Sequence, residues 1–152
     1  MLTGAAGIVG TALRPLLAAR YDRVISTDLE VIDDLSANET FIAGDITDQA
    51  FVEEITNQVD GIVHLAGRVG AAYTFDDVLG PNIIGTHHLF EGARRNEVQR
   101  IVFASSHHAV GFIRRGEPID EHTAPRPNSE YGLSKAYGEA AASYYADKFG
   151  LN

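Results

Sequence analysis

The chain has 152 residues, 45% of them hydrophobic and 22% charged, with a net charge of −9 and no cysteine. Length and composition suit roughly one folded domain; the acidic balance argues against a nucleic-acid or anionic-membrane partner, and the lack of cysteine rules out disulfide frameworks, zinc knuckles and thiol nucleophiles. No apolar run reaches the ~18 residues of a membrane span and no basic leader precedes an apolar segment, so a cytoplasmic location is expected.

Short β-branched runs alternate with longer amphipathic stretches along the chain. Met1-Leu2-Thr3 reads as the stub of a first strand, followed by a glycine-rich loop and a helix over Val9–Arg20. Pro15 lies inside that helix, where it lacks an N–H and crowds the carbonyl of Thr11, so a kink or loosened turn is predicted. Strands are predicted at Val24–Thr27, Thr40–Ala43, Gly61–Leu65 and Arg100–Ser105, each short and apolar, as strands buried on both faces should be. Helices are predicted at Gln49–Gln58, Phe75–Arg95 and Ser129–Phe149. The one long irregular stretch, Gly111–Asn128, carries Pro118, Pro125 and Pro127, and such a loop in a compact domain is more often functional than idle. This alternation implies βαβ units and a parallel sheet: an α/β, doubly wound domain over residues 1–152 with helices on both faces. Both ends look cut. The first strand is shorter than the usual ~5–6 residues, and the chain stops after the helix-capping Gly150, where a further strand is expected.

Thr3-Gly4-Ala5-Ala6-Gly7-Ile8-Val9-Gly10 sits between the strand stub and the first helix. A pyrophosphate needs close approach to backbone N–H groups and to the positive end of a helix. Gly4 provides the tight turn, Gly7 the unobstructed approach and Gly10 the close helix–strand contact. The second strand ends at Asp28, eighteen residues beyond Gly10. A carboxylate there accepts both ribose hydroxyls of NAD and repels the extra phosphate of NADP. The domain therefore reads as a Rossmann-type NAD(P)-binding fold with NAD as cofactor. Asp45 follows the third strand, where it either accepts the adenine amino group, with Ile46 against the ring, or caps the next helix. Asp48 reads as a cap.

The run Ile101-Val102-Phe103-Ala104 ends in two hydroxyls, Ser105 and Ser106, aimed at the crevice beyond the strand ends. Tyr131 and Lys135 are spaced i and i+4, on one face of a helix. A phenol is a poor base at neutral pH, but adjacent positive charge stabilises its anion. With Lys135 and an oxidised nicotinamide nearby, Tyr131 can remove a hydroxyl proton while hydride leaves for the cofactor.

Together the Gly4–Gly10 loop, Asp28, Asp45-Ile46, His64-Leu65-Ala66-Gly67, Ser105-Ser106 and Tyr131-x-x-x-Lys135 resemble the extended short-chain dehydrogenase/reductases, the NAD-dependent epimerase/dehydratase group. Asn82-Ile83-Ile84-Gly85, Ser105-Ser106-His107-His108 and Pro125-Arg126-Pro127-Asn128-Ser129-x-Tyr131-Gly132 look most like the uronate dehydrogenases and related sugar dehydrogenases. The resemblance implies Ser106, not Ser105, as the substrate-binding catalytic serine, Tyr131 as the base and Lys135 as the ribose-binding partner. It also implies that Leu65, Ala66 and Gly67 pass under the cofactor, and that Asn82 ties the central helix to the sheet. His107 stands where uronate dehydrogenases typically show Asn, and no serine follows Gly67 at the place where they carry a substrate-contacting one. The implied activity is NAD-dependent oxidation of a hydroxyl on a sugar or sugar acid. The alternatives are a sugar-nucleotide epimerase or dehydratase, and a catalytically silent NAD-binding fragment. The long helices are expected to pair with those of a second copy, as in this family.

The paired histidines His87-His88 and His107-His108 diverge in direction, so no metal site is expected. His64, inside a buried strand, is expected to hydrogen-bond locally, and His108, beside Ser106, is a substrate-contacting candidate. Arg68 is read either as a contact for an anionic substrate or as a solvated loop residue. Arg94-Arg95 read as solvent-facing charges.

Overall fold

The computed structural model describes residues 1–57 and 59–152. Five strands form one parallel sheet: β1 (Leu2–Thr3), β2 (Val24–Asp28), β3 (Glu39–Ala43), β4 (Gly61–His64) and β5 (Arg100–Phe103), in the order β3-β2-β1-β4-β5. β1 is central, with Leu2 in register with Ser26 on one side and Val63 on the other. The chain leaves β3 at one edge and re-enters at β4 beyond β1. The strand order thus reverses between β1 and β4, and the crevice beyond their carboxyl ends is the place where such sheets take ligands.

Successive strand residues face opposite sides, which splits the core in two. On one side Leu2, Ala5 and Ile32 are buried, with Leu13 and Leu17 of α1 (Ile8–Arg20), Phe41, Val63 and Leu65 packed around them. On the other side Val52 of α2 (Gln49–Ile55), Ile62, and Leu89, Phe90 and Ala93 of α4 (Gly85–Arg95) form the larger cluster. That cluster reaches Tyr145 of α5 (Glu130–Phe149), whose ring stacks on Phe90 at 5.2 Å. The expectation of helices on both faces therefore holds: α1 packs on the first side, and α2, α4 and α5 pack on the second.

α1 continues through Pro15 as one helix. One lost N–H bond is tolerated because both flanking turns are anchored. Leu13 and Leu17 sit in the core, and Arg14, 4% exposed, donates from Nε to Glu39 at 2.7 Å and from Nη2 to Glu39 at 3.2 Å. Glu39 also accepts from the Ser26 hydroxyl at 2.6 Å, and Arg14 Nη1 reaches Asp34 at 2.9 Å. This network fastens α1 to β2 and β3 inside the protein.

α2 is shorter than predicted, ending at Ile55 with Thr56 as its cap; the predicted end at Gln58 lies outside the described residues. The predicted single helix over Phe75–Arg95 is three segments: α3 (Phe75–Val78), a π-helical stretch (Leu79–Ile84) and α4. Pro81 has no N–H to give, and the Gly85 N–H reaches back five residues to the Gly80 carbonyl. The run widens there instead of ending. β4 and β5 stop at His64 and Phe103, earlier than expected, because the next residues turn into the crevice loops. α5 ends at the predicted cap, Gly150 at φ 71°, and starts one residue later than predicted because the Ser129 hydroxyl caps it on the Gly132 N–H. Among the described residues, no helix is long and apolar enough to cross a membrane.

Candidate functional site

The glycine loop, the β4–α3 loop and the start of α5 are brought together by the loop contacts around the carboxyl ends of β1, β4 and β5. Gly4 has φ 71°, and a Cβ there would lie 2.6 Å from Ala66 N and 2.7 Å from Leu65 C. Both conformation and space therefore demand glycine, and the two loops touch as backbone on backbone. At Gly10 a Cβ would come within 2.2 Å of the Gly4 carbonyl, so the helix closes tightly on its own loop. α1 begins at Ile8 with Gly7 as its N-cap, no capping side chain and no acid in the first turn. The positive helix end is left open to an anion. Ile8 and Val9 are 94% and 62% exposed at its mouth.

Asp28 faces this loop. Its Oδ2 accepts the Ala6 N–H at 2.9 Å and its Oδ1 accepts the Leu29 N–H at 2.7 Å, so the carboxylate is fixed by backbone donors. Asp45 is exposed and accepts the Thr47 N–H at 2.8 Å; the cap of α2 is Asp48, which accepts from Ala50 and Phe51. Ile46 is 7% exposed, its side chain packed into the core over Gly85.

Leu65, Ala66 and Gly67 form the loop beside Gly4. Gly67 has φ 149°, and a Cβ there would lie 2.9 Å from Asn82 Oδ1. Asn82, in the π-helical stretch, accepts the Arg68 N–H at 2.7 Å and donates to the Arg68 carbonyl at 3.0 Å and to Ser134 Oγ at 2.9 Å. It thus ties the central helix to the loop after β4 and to α5, a correction to the expected tie to the sheet. Arg68 itself is exposed, its guanidinium 5.9 Å from the Tyr73 ring centroid.

Ser106 caps a short 3₁₀ turn (His107–Val110), accepting the His108 N–H at 3.2 Å. Ser105 donates to the Glu139 carboxylate, so of the two hydroxyls only Ser106 lies against the His108 turn. His108 Nδ1 is 2.8 Å from Asn128 Oδ1, and its ring meets Tyr131 edge-on at 5.8 Å. A Cβ on Gly132 would be 2.2 Å from the His108 carbonyl, so the first turn of α5 presses directly on the serine segment. A hollow of about 530 Å³ opens beside it, lined by Ser105, Ser106, His107, Asp120 and Glu139. A second cavity of about 360 Å³ lies at the opposite end of the strands, around Met1, Val24, Gly61 and Arg100, remote from these groups.

Tyr131 and Lys135 are 6% and 5% exposed, and the Lys135 ammonium lies 5.8 Å from the Tyr131 ring centroid. Burial pulls the Lys135 pKa down to about 8. Beneath them His64 is fully buried, with Nδ1 2.7 Å from Thr3 Oγ1 and Nε2 3.2 Å from Thr86 Oγ1. Burial, with the Lys135 charge adding to it, holds His64 neutral with a pKa of about 3. Thr3 and Asn128 lie inside the quoted motifs but are given no role of their own there, and Thr86, Ser134 and Glu139 carry no local signal. Arg94 and Arg95, read as solvent-facing, pair with Glu91 and Glu53.

The family model described as the NAD dependent epimerase/dehydratase family matches residues 1–152. The chain belongs to that family. A uronate dehydrogenase of Pseudomonas putida is 43% identical to it over 99% of this chain and 56% of its own length. An NAD-dependent glucose-6-phosphate dehydrogenase of Haloferax volcanii is 34% identical, over 97% of this chain and 62% of its own. Among solved structures, a mutant uronate dehydrogenase from Agrobacterium tumefaciens complexed with NAD superposes with a TM-score of 0.93 at 38% identity, over 99% of this chain and 56% of that one. The chain spans little more than half the length of these relatives. Within this family's fold, the open helix end at Gly7–Ile8, the fixed Asp28 carboxylate and the Cβ-free approach at Gly4 fit a dinucleotide. The buried Lys135 charge next to the Tyr131 ring is an arrangement that favours a phenolate.

Proposed function

We propose that the chain is the cofactor half of an NAD-dependent dehydrogenase that oxidises a hydroxyl of a sugar or sugar acid. The observation that carries this is the Lys135 ammonium, buried beside the Tyr131 ring with no acid paired to it among the described residues. Its charge favours a Tyr131 phenolate, which is what a proton-accepting phenol needs. NAD, when bound, supplies the hydride acceptor. Gly4, Gly7, Ile8, Val9 and Gly10 hold its pyrophosphate, Asp28 the ribose hydroxyls, and Asp45 and Ile46 the adenine side. Leu65, Ala66 and Gly67 lie under it, and Lys135 and Tyr131 reach its nicotinamide ribose. Ser106 and His108 hold the substrate, Ser106 orienting the reacting oxygen while Tyr131 takes its proton. The likeness to uronate and sugar dehydrogenases supports this substrate class.

A second copy is the proposed protein partner. Leu133, Ala140 and Tyr144, exposed at helical spacing on α5, form an apolar stripe suited to a two-fold helix pairing. A monomeric mass by light scattering at working concentration refutes that pairing.

Fluorescence titration of NADH, with NADPH beside it, tests the cofactor half. Saturable binding that prefers NADH is expected, and its absence in a folded sample refutes the reading. Incubation with NAD and uronic acids or aldoses should accumulate NADH, and Tyr131→Phe should abolish this. Substrate conversion without net NADH instead identifies an epimerase.

A further inference from the structure

Lys135 has an uncommon setting for an ammonium. It is 5% exposed, yet no carboxylate lies within ion-pair distance of it among the described residues. What faces Nζ is the ring of Phe103 on β5, its centroid 4.8 Å away, with the Tyr131 ring at 5.8 Å. A buried cation is costly unless something replaces its water shell, and an aromatic face within about 6 Å does so through its quadrupole.

The titratable groups around it are few. Tyr131 lies one turn earlier on α5. His64 on β4 is neutral, its ring 5.8 Å from that of Phe103. Glu139, one turn later, accepts the Ser105 hydroxyl. The Phe103 ring reaches its place through a gap in α5 itself. A Cβ on Gly138 would lie 2.1 Å from Phe103 Cζ and 2.5 Å from Cε1.

We infer that Phe103 is a positioning residue for the Tyr131–Lys135 pair: its ring face holds the Lys135 ammonium where a carboxylate would otherwise sit, and Gly138 reserves the space. A carboxylate would orient the ammonium equally well but would cancel the positive charge that favours the Tyr131 phenolate. A ring orients without cancelling. The catalytic meaning of the contact rests on the proposed function; the contact itself is tested without substrate or cofactor.

Lys135 and Lys148 are the only lysines, so selective ¹³C labelling at lysine Cε gives one signal for each. Titrated from neutral to alkaline pH, Phe103→Leu should lower the Lys135 midpoint by about 0.5–1 pH unit, with Lys148 unmoved. Phe103→Tyr should keep the wild-type midpoint. Gly138→Ala, which displaces the ring without removing it, should shift Lys135 in the same direction as Phe103→Leu. Should Phe103→Leu not fold, Phe103→Met carries the same expectation. A lower melting temperature with an unmoved Lys135 midpoint makes Phe103 a packing residue only and overturns the inference. A shifted midpoint in a protein that binds no NADH upholds the contact and refutes the proposed function alone.

Discussion

The buried Arg14–Glu39 pair makes a demanding test of how this fold is held together. Glu39→Leu removes the acceptor of two guanidinium bonds, at 2.7 and 3.2 Å, from an arginine whose side chain is 5% exposed. Breaking a buried pair from one side costs about 3–5 kcal/mol, because the remaining charge is stranded. Asp34 still offers Oδ1 to Nη1 at 2.9 Å and its carbonyl to Nη2 at 2.7 Å, but its carboxylate is 81% exposed and water screens it. The lower end, about 3 kcal/mol, is therefore expected. With a urea slope of about 1–3 kcal/mol per molar, the unfolding midpoint should fall by about 1–3 M. The double variant Arg14→Met/Glu39→Leu should recover at least half of that loss, since it strands neither charge. Burial pushes the Glu39 carboxyl up, but hydrogen bonds from Arg14, Ser26 and the Ser36 N–H outweigh it and hold the group below its ordinary value. A carboxyl lowered in the folded state stabilises above the unfolded value of about 4.3 and loses that contribution as pH falls through the folded one. The gap between wild type and Glu39→Leu should accordingly narrow below about pH 4. Urea denaturation at several pH values reads all of this. A single-variant loss under about 1 kcal/mol, or a double variant as unstable as the two singles summed, would sink the argument.

Three further outcomes are expected. Gly4→Ala forces a side chain into φ 71° against the Ala66 N and Leu65 C, so it should lose at least about 1–2 kcal/mol and its NADH affinity, read by denaturation and fluorescence titration; two unchanged values refute it. Asp28→Asn keeps the shape of the loop contact but not its charge, and should weaken NADH about tenfold while narrowing the preference over NADPH; an unaltered NADH/NADPH ratio contradicts the role given to the carboxylate. Burial holds Lys135 at about 8, so its ammonium opposes folding at neutral pH, and that cost fades as pH rises through 8 towards about 10.4. Lys135→Met should therefore melt a few degrees higher than wild type at neutral pH, with the gain shrinking in alkali; a lower melting point at neutral pH refutes the sign.

What the sequence discloses of the site is what lies close along the chain. The Gly4–Gly10 spacing, the Asp28 strand end and the Tyr131–Lys135 turn are local patterns, and the helix and strand periods around them place each on the right element. Arg14 and Glu39 are 25 residues apart and look like ordinary surface charges, because nothing local says that α1 will lay its arginine over β2 and β3. Asp45 was ambiguous for a related reason: the turn after β3 decides whether its side chain caps or reaches out, and composition does not. Gly80-Pro81 is a helix-breaking pair that the single helix predicted over Phe75–Arg95 passes over. That the helical path survives it depends on Asn82, whose bonds go to Arg68 and Ser134, fourteen and 52 residues away.

The π-helical stretch also acts as a phase shifter. A wide turn holds one more residue than an α turn, so it rotates everything after it by about 100° relative to everything before. α3 and α4 are thereby set on different phases: α3 buries Val78 while α4 turns Leu89, Phe90 and Ala93 into the larger core cluster. Deleting one residue between Leu79 and Ile84 would restore a uniform helix at the cost of that offset. Either Asn82 would swing away from Arg68 and Ser134, or the Leu89–Ala93 face would leave the core. The site and the core are thus set in register by a single extra residue.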